Sequence, residues 1–249
     1  MTLSAVKSAR RVIEIMELFD RLRRPMGLKE ICDQLSYPVS SAAMVLKSLV
    51  VLGYLEYDRR SRTYLPTMRI AVLGNWVPET LFGNANMLPT MAHLRDRTRE
   101  TVILGTQSDL FAQYVHAVHS MEPLHYAVSP GAVRPLARCG IGRLLLSALT
   151  DPEIDRLVRR INIATPEDRV DLAELMDHVG SIRRQGFVFS QNLFTDGVGV
   201  VAVLLPSAPF GRRFALGLGG PVERLEAHLD QHLASLRAAM ANVDAATAA

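Results

Sequence analysis

The segment formed by residues 26–66 constrains the fold more than any other part of the chain. Apolar residues recur at i, i+3, i+4 and i+7 over residues 28–35, which predicts a short amphipathic helix. A Ser-Tyr-Pro turn follows, and a second helical run ends at Gly53, a residue that tolerates the left-handed conformation found after helices. Residues 55–57 and 63–65 then alternate as strands do. This order predicts a helix-turn-helix followed by a β-hairpin, which is the plan of a winged helix.

Further patterns complete this first domain, which we expect to span residues 1–66. An apolar stripe over residues 4–23 predicts its first helix. On the third helix, the spacing of Val45, Leu49 and Leu52 predicts that these side chains face the core. Two serine hydroxyls near the start of that helix can cap free N–H groups or contact a phosphate.

Basic charge is concentrated in the same part of the chain. Residues 1–75 carry 12 Lys and Arg against 7 Asp and Glu, whereas the remaining residues carry 16 against 18. Three arginines stand together in the predicted hairpin turn, where they can reach phosphates or a minor groove. This combination predicts binding to double-stranded DNA; the alternative is a winged helix used only for protein contacts. The residues expected at the DNA are Lys29, Ser40, Ser41, Ala43, Met44, Lys47, Arg59, Arg60 and Arg62.

The sequence pattern changes beyond residue 76. Residues 76–86 contain Pro, Gly and two Asn, so we expect a helical linker over residues 67–86 and a second domain over residues 87–249. Strands mixed with helices, without strict alternation, predict an α+β domain with an antiparallel sheet. The predicted helices are 88–100, 142–149, 171–185 and 221–243, and the predicted strands are 101–107, 111–118, 187–189, 198–205 and 214–218.

Composition argues against several classes of protein. Two cysteines are too few for a disulfide framework or a zinc site and suit a reducing compartment. The charged N-terminus does not resemble a signal peptide, and the longest apolar runs are too short for a membrane span. We therefore expect a cytoplasmic protein without a membrane partner.

Catalytic and metal-binding patterns are sparse. The chain has no G-x-S-x-G, H-E-x-x-H or P-loop sequence, so we expect no catalytic residue and no cofactor. His228 and His232 have helical i, i+4 spacing, but two histidines without a third ligand favour a solvated helix face over a metal site. Cys139 is expected to be a small buried residue rather than a reactive thiol.

Several segments together resemble the IclR-type bacterial transcriptional regulators. Residues 38–54, PVSSAAMVLKSLVVLGY, are similar to that family's recognition helix, written close to P-K-S-T-V-H-R-L-L-x-T-L-x-x-L-G-Y. RPLARCGIGR over residues 134–143 resembles its P-L-H-A-T-A-x-G-K segment, and ALGLGGP over 215–221 resembles A-L-S-V-S-G-P. The resemblance implies a winged helix-turn-helix, a helical linker and a GAF-like effector domain. It also implies a homodimer or homotetramer that binds a palindromic promoter site.

Departures from the family pattern lead to more specific expectations. The family often has His or Arg where this recognition helix has Ala43 and Met44, which leaves fewer side chains for paired hydrogen bonds to bases. In the second domain, positions that hold Cys, Ser or acidic groups in relatives are uncharged here, and two of them are glycines. This predicts a roomy apolar pocket for an aromatic or otherwise largely apolar acid. The expected effector-binding residues are His125, Arg138, Cys139, Gly140, Asn192, Val200, Gly217 and Gly219.

Alternatives stay open for single residues and for the whole protein. Arg138 equally fits a surface ion pair, and His125 fits packing at the edge of a sheet. For the whole protein, the alternative to a ligand-responsive regulator is an α/β enzyme or sensor whose winged helix mediates protein contacts only.

Overall fold

The computed structural model describes residues 6–77, 80, 87–205 and 211–247, with side chains as far as residue 241. The chain divides into two compact units, Met1–Val77 and Pro78–Ala249. Part of the expected linker, at 78–79 and 81–86, lies outside the described residues, as does the start of the first predicted helix. In the described part of the chain, no helix is both long and apolar enough to span a bilayer.

The N-terminal unit is built on helices that share one core. Their bounds are α1 Lys7–Leu22, α2 Leu28–Leu35, α3 Val39–Val51 and α4 Met68–Gly74. Apolar side chains of α1, α2 and α3 meet in this core, where Ile15, Phe19, Ile31 and Leu46 are buried. The helices of the predicted helix-turn-helix are therefore present and packed against α1.

The buried face of α3 differs from the prediction. Ala42, Leu46 and Leu49 are buried, whereas Val45 is only partly buried and Leu52 is 55% exposed. The buried stripe follows the i, i+4, i+7 spacing that starts at Ala42. The expectation for Leu52 was wrong because the helix ends before this residue, which is its C-cap.

A small antiparallel sheet completes the N-terminal unit, in the order β1-β3-β2. β2 (Leu55–Asp58) and β3 (Thr63–Pro66) form the predicted hairpin, and we call its turn, residues 59–62, the wing tip. β1 (Met26–Gly27) pairs with β3 at the start of α2 and was not predicted. Two residues are too few to show the alternation by which a strand is recognised in a sequence.

A six-stranded antiparallel sheet forms the centre of the C-terminal unit, in the order β6-β5-β4-β9-β8-β7. The five predicted strands are present near their expected positions, and β6 is an addition. The antiparallel α+β fold predicted from the sequence is confirmed. The bounds are β4 Thr101–Ser108, β5 Phe111–Val118, β6 Val133–Pro135, β7 Val188–Gln191, β8 Val198–Leu204 and β9 Phe214–Pro221.

Helices pack on both faces of this sheet. One buried cluster includes Val201 and side chains from helices α5 Met87–Thr98, α9 Val222–Ala227 and α10 Leu229–Thr247. The other includes Val200 and side chains from helices α6 Gly140–Ser147, α7 Asp151–Ala164 and α8 Leu172–Gln185. Val200 and Val201 enter different clusters because successive strand residues point to opposite faces of the sheet.

Two helices of the C-terminal unit differ from the prediction. α7 was missed, although Thr150 and Glu153 form a capping box and Ile154 and Val158 lie on its buried face. The terminal helix is divided into α9 and α10, because the backbone at His228 is not helical. Both differences lie at the periphery and leave the sheet order unchanged.

Candidate DNA-binding and effector sites

One face of α3 is free of the protein core. Ser40, Met44, Lys47 and Val51 follow one another along it at helical spacing, and all four side chains are exposed. Met44 is 73% exposed. Ala43 is partly buried at the margin of the face. The face therefore offers few hydrogen-bond donors, and its long side chains end in a thioether at Met44 and an ammonium group at Lys47.

The start of α3 keeps its first N–H groups available. No side chain caps this helix, and among the described residues Ser40 and Ser41 make no hydrogen bond through their hydroxyls. Ser48 Oγ, further along the helix, donates to the carbonyl oxygen of Met44 at 2.9 Å. Free N–H groups at a helix start attract anions. This end of α3 can therefore contact a DNA phosphate.

The wing tip presents three cationic side chains. Asp58 Oδ1 accepts a hydrogen bond from the Arg60 backbone N–H at 2.8 Å, and Oδ2 accepts one from Ser61 Oγ at 2.7 Å. The bond from Ser61, followed by that from Arg60, lowers the pKa of Asp58. Arg59, Arg60 and Arg62 are exposed, and none of the ion pairs within the described residues involves them. Their charge is free to meet an external anion.

Two further cations of the N-terminal unit lie outside α3 and the wing tip. Lys29 is exposed in the first turn of α2, next in the chain to Glu30, which forms an ion pair with Arg24. Arg69 was not predicted as a site residue; its guanidinium lies over the Tyr54 ring, 5.1 Å from the centroid. The predicted DNA contacts are thus on the surface or at its margin, and their role remains a prediction.

A small cavity in the C-terminal unit lies between β5, the start of α6 and the β7–β8 loop. Its volume is about 20 Å³, which is room for one water molecule. The predicted Cys139, Gly140 and Val200 line it. Aromatic and hydroxyl-bearing side chains make up much of the remaining wall, which consists of Tyr114, Tyr126, Ser190, Leu193, Phe194, Thr195 and Val198.

The glycines of β9 do not form the open floor that was expected. A Cβ atom on Gly219 would lie 2.6 Å from Cδ1 of Tyr126, and one on Gly217 would lie 3.0 Å from Cδ1 of Ile141. The tyrosine ring and the isoleucine side chain therefore occupy the space above the glycines. The expectation of a roomy pocket was wrong because neighbouring elements fill the volume that the missing side chains leave.

Arg138 takes the alternative role that the sequence left open. Its guanidinium forms an ion pair with Asp168 at 2.6 Å and donates to the carbonyl oxygen of Arg169 at 3.0 Å. These contacts hold Arg138 against the loop before α8, and it does not line the cavity. As an effector contact in this conformation, Arg138 is a correction.

His125 and Asn192 also lie outside the cavity wall. His125 Nδ1 is 2.7 Å from the carbonyl oxygen of Glu122. Asn192 Oδ1 accepts a hydrogen bond from the Gly197 N–H at 2.7 Å. Asn192 therefore shapes the β7–β8 loop, which places Phe194 at the cavity, rather than contributing its own amide.

Arg134 is a cation near the cavity that the sequence prediction missed. Its guanidinium carbon is 4.5 Å from the ring centroid of Phe194 and 5.8 Å from that of Tyr114, and both rings line the cavity. Its Nε is buried without a hydrogen-bond partner, and Arg134 belongs to none of the ion pairs found in the described residues. The rings stabilise the cation in part. Arg134 is therefore available to an anion.

Burial controls the ionisation of the groups that line the cavity. It raises the pKa of Cys139 to about 11, although the thiol accepts a hydrogen bond from the Gly142 N–H at 3.3 Å. Burial also raises the pKa of Tyr114 far above its ordinary value, and the adjacent Cys139 and Tyr126 act in the same direction. Both groups are neutral at physiological pH. Cys139 is thus a buried thiol and not an activated nucleophile.

Larger clefts of the C-terminal unit are polar and lie elsewhere. One of about 490 Å³ borders the β4–β5 turn and includes Asp109 and Arg213. Another of about 350 Å³ lies between β7 and α8 and includes Arg143 and His178. None of the predicted effector-binding residues lines either cleft.

His228 and His232 do not form the solvated pair that was expected. Their ring centroids are 5.9 Å apart, but His232 is only 3% exposed. The expectation was wrong because α10 turns His232 towards the core that contains Leu233 and Leu236. Within the part of the chain that the structure describes, no three His, Cys, Asp or Glu side chains are grouped as a metal site.

Comparison with known families matches both units of the chain. The IclR helix-turn-helix domain matches residues 8–59, and the C-terminal domain of the bacterial transcriptional regulator IclR matches residues 84–245. The chain belongs to the IclR family. The DNA-binding and effector-binding domains predicted from the sequence are those of this family of transcriptional regulators.

Individual relatives in the IclR family are similar over most of their length. The regulator KdgR of Escherichia coli (strain K12) is 24% identical over 251 residues, which cover 97% of this chain and 92% of KdgR. The effector domain of an IclR regulator from Acinetobacter sp. ADP1 is 29% identical, with a TM-score of 0.61, over 67% of this chain and 98% of that domain. An IclR homologue from Microbacterium hydrocarbonoxydans, crystallised with 4-hydroxybenzoate, shares the fold at 17% identity, with a TM-score of 0.68 and coverage of 98% and 100%.

Membership of the IclR family decides between the two functional hypotheses. The family and the relatives are transcriptional regulators and not enzymes. The alternative of an enzyme with a winged helix for protein contacts is therefore set aside. The individual residues that contact DNA or effector remain predictions.

Proposed function

We propose that this IclR-family regulator binds a palindromic promoter site as an oligomer and that an acid with an apolar, aromatic body modulates the binding. The observation that carries the DNA part is the row of exposed, unpaired arginines at the wing tip. Such cations release counterions from DNA, which supplies affinity that does not depend on sequence. α3 then enters the major groove, where its exposed face meets base edges.

The proposal of an oligomer is supported by the surface of α4. Met68, Val72, Leu73 and the following Trp76 are all more than half exposed in the single chain, and no residue of α4 is buried. A helix whose apolar side chains all face solvent favours contact with a second copy. Two copies related by a twofold axis present two α3 helices, and a palindromic site mirrors that symmetry.

The proposed effector class is supported by Arg134 and the rings around it. A carboxylate would give the guanidinium the counter-ion that it lacks, and the rings of Tyr114 and Phe194 would contact an aromatic body. The present volume of about 20 Å³ is too small for such an acid. Binding therefore requires Phe194 and its loop to move outwards. That movement is how we expect the ligand to change the conformation of the domain.

The DNA part is tested by the salt dependence of binding to DNA from upstream of the protein's own gene. We expect Arg59→Ala and Arg60→Ala each to weaken binding to specific and to random DNA alike. Each change should reduce the slope of log K against log salt by about 0.9, the contribution of one phosphate contact. Arg237→Ala, which removes an exposed arginine of α10, is the matched control and should leave the slope unchanged.

Two outcomes would count against this part. A slope that is the same in all variants would remove the wing tip from the interface. Absence of any binding at low salt, by protein with an intact fold, would contradict the DNA-binding function.

The effector part is tested by thermal shift with 4-hydroxybenzoate and its uncharged amide. We expect the acid to raise the melting temperature by several degrees and the amide to do so much less, because only the carboxylate can pair with Arg134. Arg134→Met should abolish the difference between acid and amide. Arg138→Met should preserve it, since Arg138 is paired with Asp168.

Small acids provide the opposing result. If pyruvate and glyoxylate raise the melting temperature and the aromatic acid does not, the proposed effector class is wrong. If Arg134→Met and Arg138→Met behave alike, the carboxylate does not bind at Arg134.

A further inference from the structure

The exposed face of α3 has a chemistry that limits which bases it can recognise, given the proposed DNA-binding function on which this inference rests. Met44 lies on this face between Ser40, about one turn before it, and Lys47, about one turn after it. Single exposed apolar side chains are common on protein surfaces. The position of Met44 is what matters, because residues in the first half of a recognition helix reach the base edges.

The polar groups of α3 offer little discrimination between bases. Guanine and adenine are recognised in the major groove by paired hydrogen bonds from Arg, Lys, Asn or Gln. α3 contains no Arg, Asn, Gln, Asp or Glu, and Lys47 is its one long donor. The Ser48 hydroxyl is already bonded to the carbonyl oxygen of Met44 at 2.9 Å. Ser40 and Ser41 lie at the helix start, where phosphates approach.

Apolar contact is the remaining means by which the middle of α3 can read a sequence. In the major groove, thymine alone among the four bases presents a methyl group, at C5. The methionine side chain is long, flexible and polarizable, so it can follow the groove floor and cover that methyl. We infer that Met44 recognises a thymine methyl group in each half of the operator.

The experiment begins with selection of binding sites from random double-stranded DNA by the full-length protein. Each thymine of the selected site is then replaced by deoxyuridine, which removes the methyl and keeps every hydrogen-bonding group. We expect one symmetry-related pair of thymines to be sensitive. Loss of one buried methyl should weaken binding about fourfold, the factor that corresponds to about 0.8 kcal/mol.

Variants connect that methyl to Met44. Met44→Ala should make binding insensitive to deoxyuridine at the same pair, with a remaining effect of less than about 1.5-fold against the fourfold effect in the unaltered protein. Val51→Ala removes another exposed apolar side chain of the same face, two turns nearer the C-terminus, and should keep the full sensitivity. Met44→Gln, a polar side chain of similar length, should shift the selected base from thymine towards adenine.

The outcomes separate this inference from the proposed function. If sites are selected but no thymine methyl affects binding, or if Met44→Ala keeps the same sensitivity, the inference is overturned and DNA binding stands. If Met44→Ala selects unchanged sites, Met44 belongs to a protein contact and the inference is again overturned. If no sequence is enriched at all, the DNA-binding function fails and the inference fails with it.

Discussion

Gly142, in the first turn of α6, shows how closely the backbone is packed beside the cavity. A Cβ atom here would overlap the carbonyl oxygen of Leu136, in the 3₁₀ turn that precedes the helix. We expect Gly142→Ala to lower the free energy of unfolding by roughly 2 kcal/mol or more, because backbone must move to relieve the overlap.

A second glycine provides the matched control for that prediction. Gly180 lies inside α8, where a Cβ would make ordinary contact with Arg184 at 3.5 Å. Gly180→Ala should therefore stabilise the same unit by about 0.5–1 kcal/mol, since alanine favours the helix. Urea denaturation followed by circular dichroism measures both. Equal effects of the two substitutions would contradict the packing described at α6.

Single residues were predictable where local chemistry fixes them. Gly53 has a φ of 77° after α3, as expected for a glycine that ends a helix. Gly217 and Gly219 were located correctly on a strand, but the sequence could not reveal that Ile141 and Tyr126 fill the space above them. Arg134 was missed for the same reason: its neighbours on other elements make it a site candidate.

The contact between Glu100 and Arg224 joins the start of β4 to α9. Glu100 is 1% exposed and accepts hydrogen bonds from Arg224 Nε at 2.5 Å and Nη2 at 2.7 Å. We expect Arg224→Met to cost roughly 3 kcal/mol, because it leaves a buried carboxylate without its partner. Adding Glu100→Gln should restore part of the loss. A double variant no more stable than Arg224→Met, in thermal unfolding at pH 7, would contradict this account.

The packing of α10 predicts a dependence of stability on pH. Burial lowers the pKa of His232, opposed by Glu100 and assisted by His228 and Arg224. The unfolded chain, with an ordinary pKa of about 6.5, takes up the proton first as pH falls. Stability from this group is therefore complete above that value and is lost progressively below it.

His232→Gln isolates this contribution from that of other titrating groups. Between pH 7.5 and 5.5 the melting temperature of the unaltered protein should fall more than that of the variant. His178→Gln, a change on the surface of α8, should leave the pH dependence as it is. Parallel curves for the unaltered protein and His232→Gln would show that the buried imidazole does not resist protonation.

Elements were predictable in proportion to their length and periodicity. α2 was predicted at its observed bounds because its apolar spacing is complete within eight residues. β1 exists only through pairing with β3, which no local pattern announces. α7 was missed although its signals were present: the Thr150 and Glu153 capping box precedes a buried apolar stripe.

For the whole molecule, the proposed assembly through α4 has a direct spectroscopic readout. The chain contains one tryptophan, Trp76, which is 62% exposed in the single chain. If copies meet at α4, dilution to the monomer should move its fluorescence emission to longer wavelength. Leu73→Glu should shift dissociation to higher concentration. Ile163→Glu, on an exposed apolar residue of α7, should not. An oligomer by mass whose tryptophan emission never changes on dilution would place the contact elsewhere.

The fold class and the family followed from the order of elements and from the recognition-helix segment. The effector cavity did not, because its volume depends on side chains from four separate parts of the chain. The central claim is that the N-terminal unit binds operator DNA in pairs. Footprinting of the DNA upstream of the gene tests it most directly: we predict two protected half-sites in inverted orientation, separated by about one or two helical turns. No protection at low salt, by protein with an intact fold, would contradict the account.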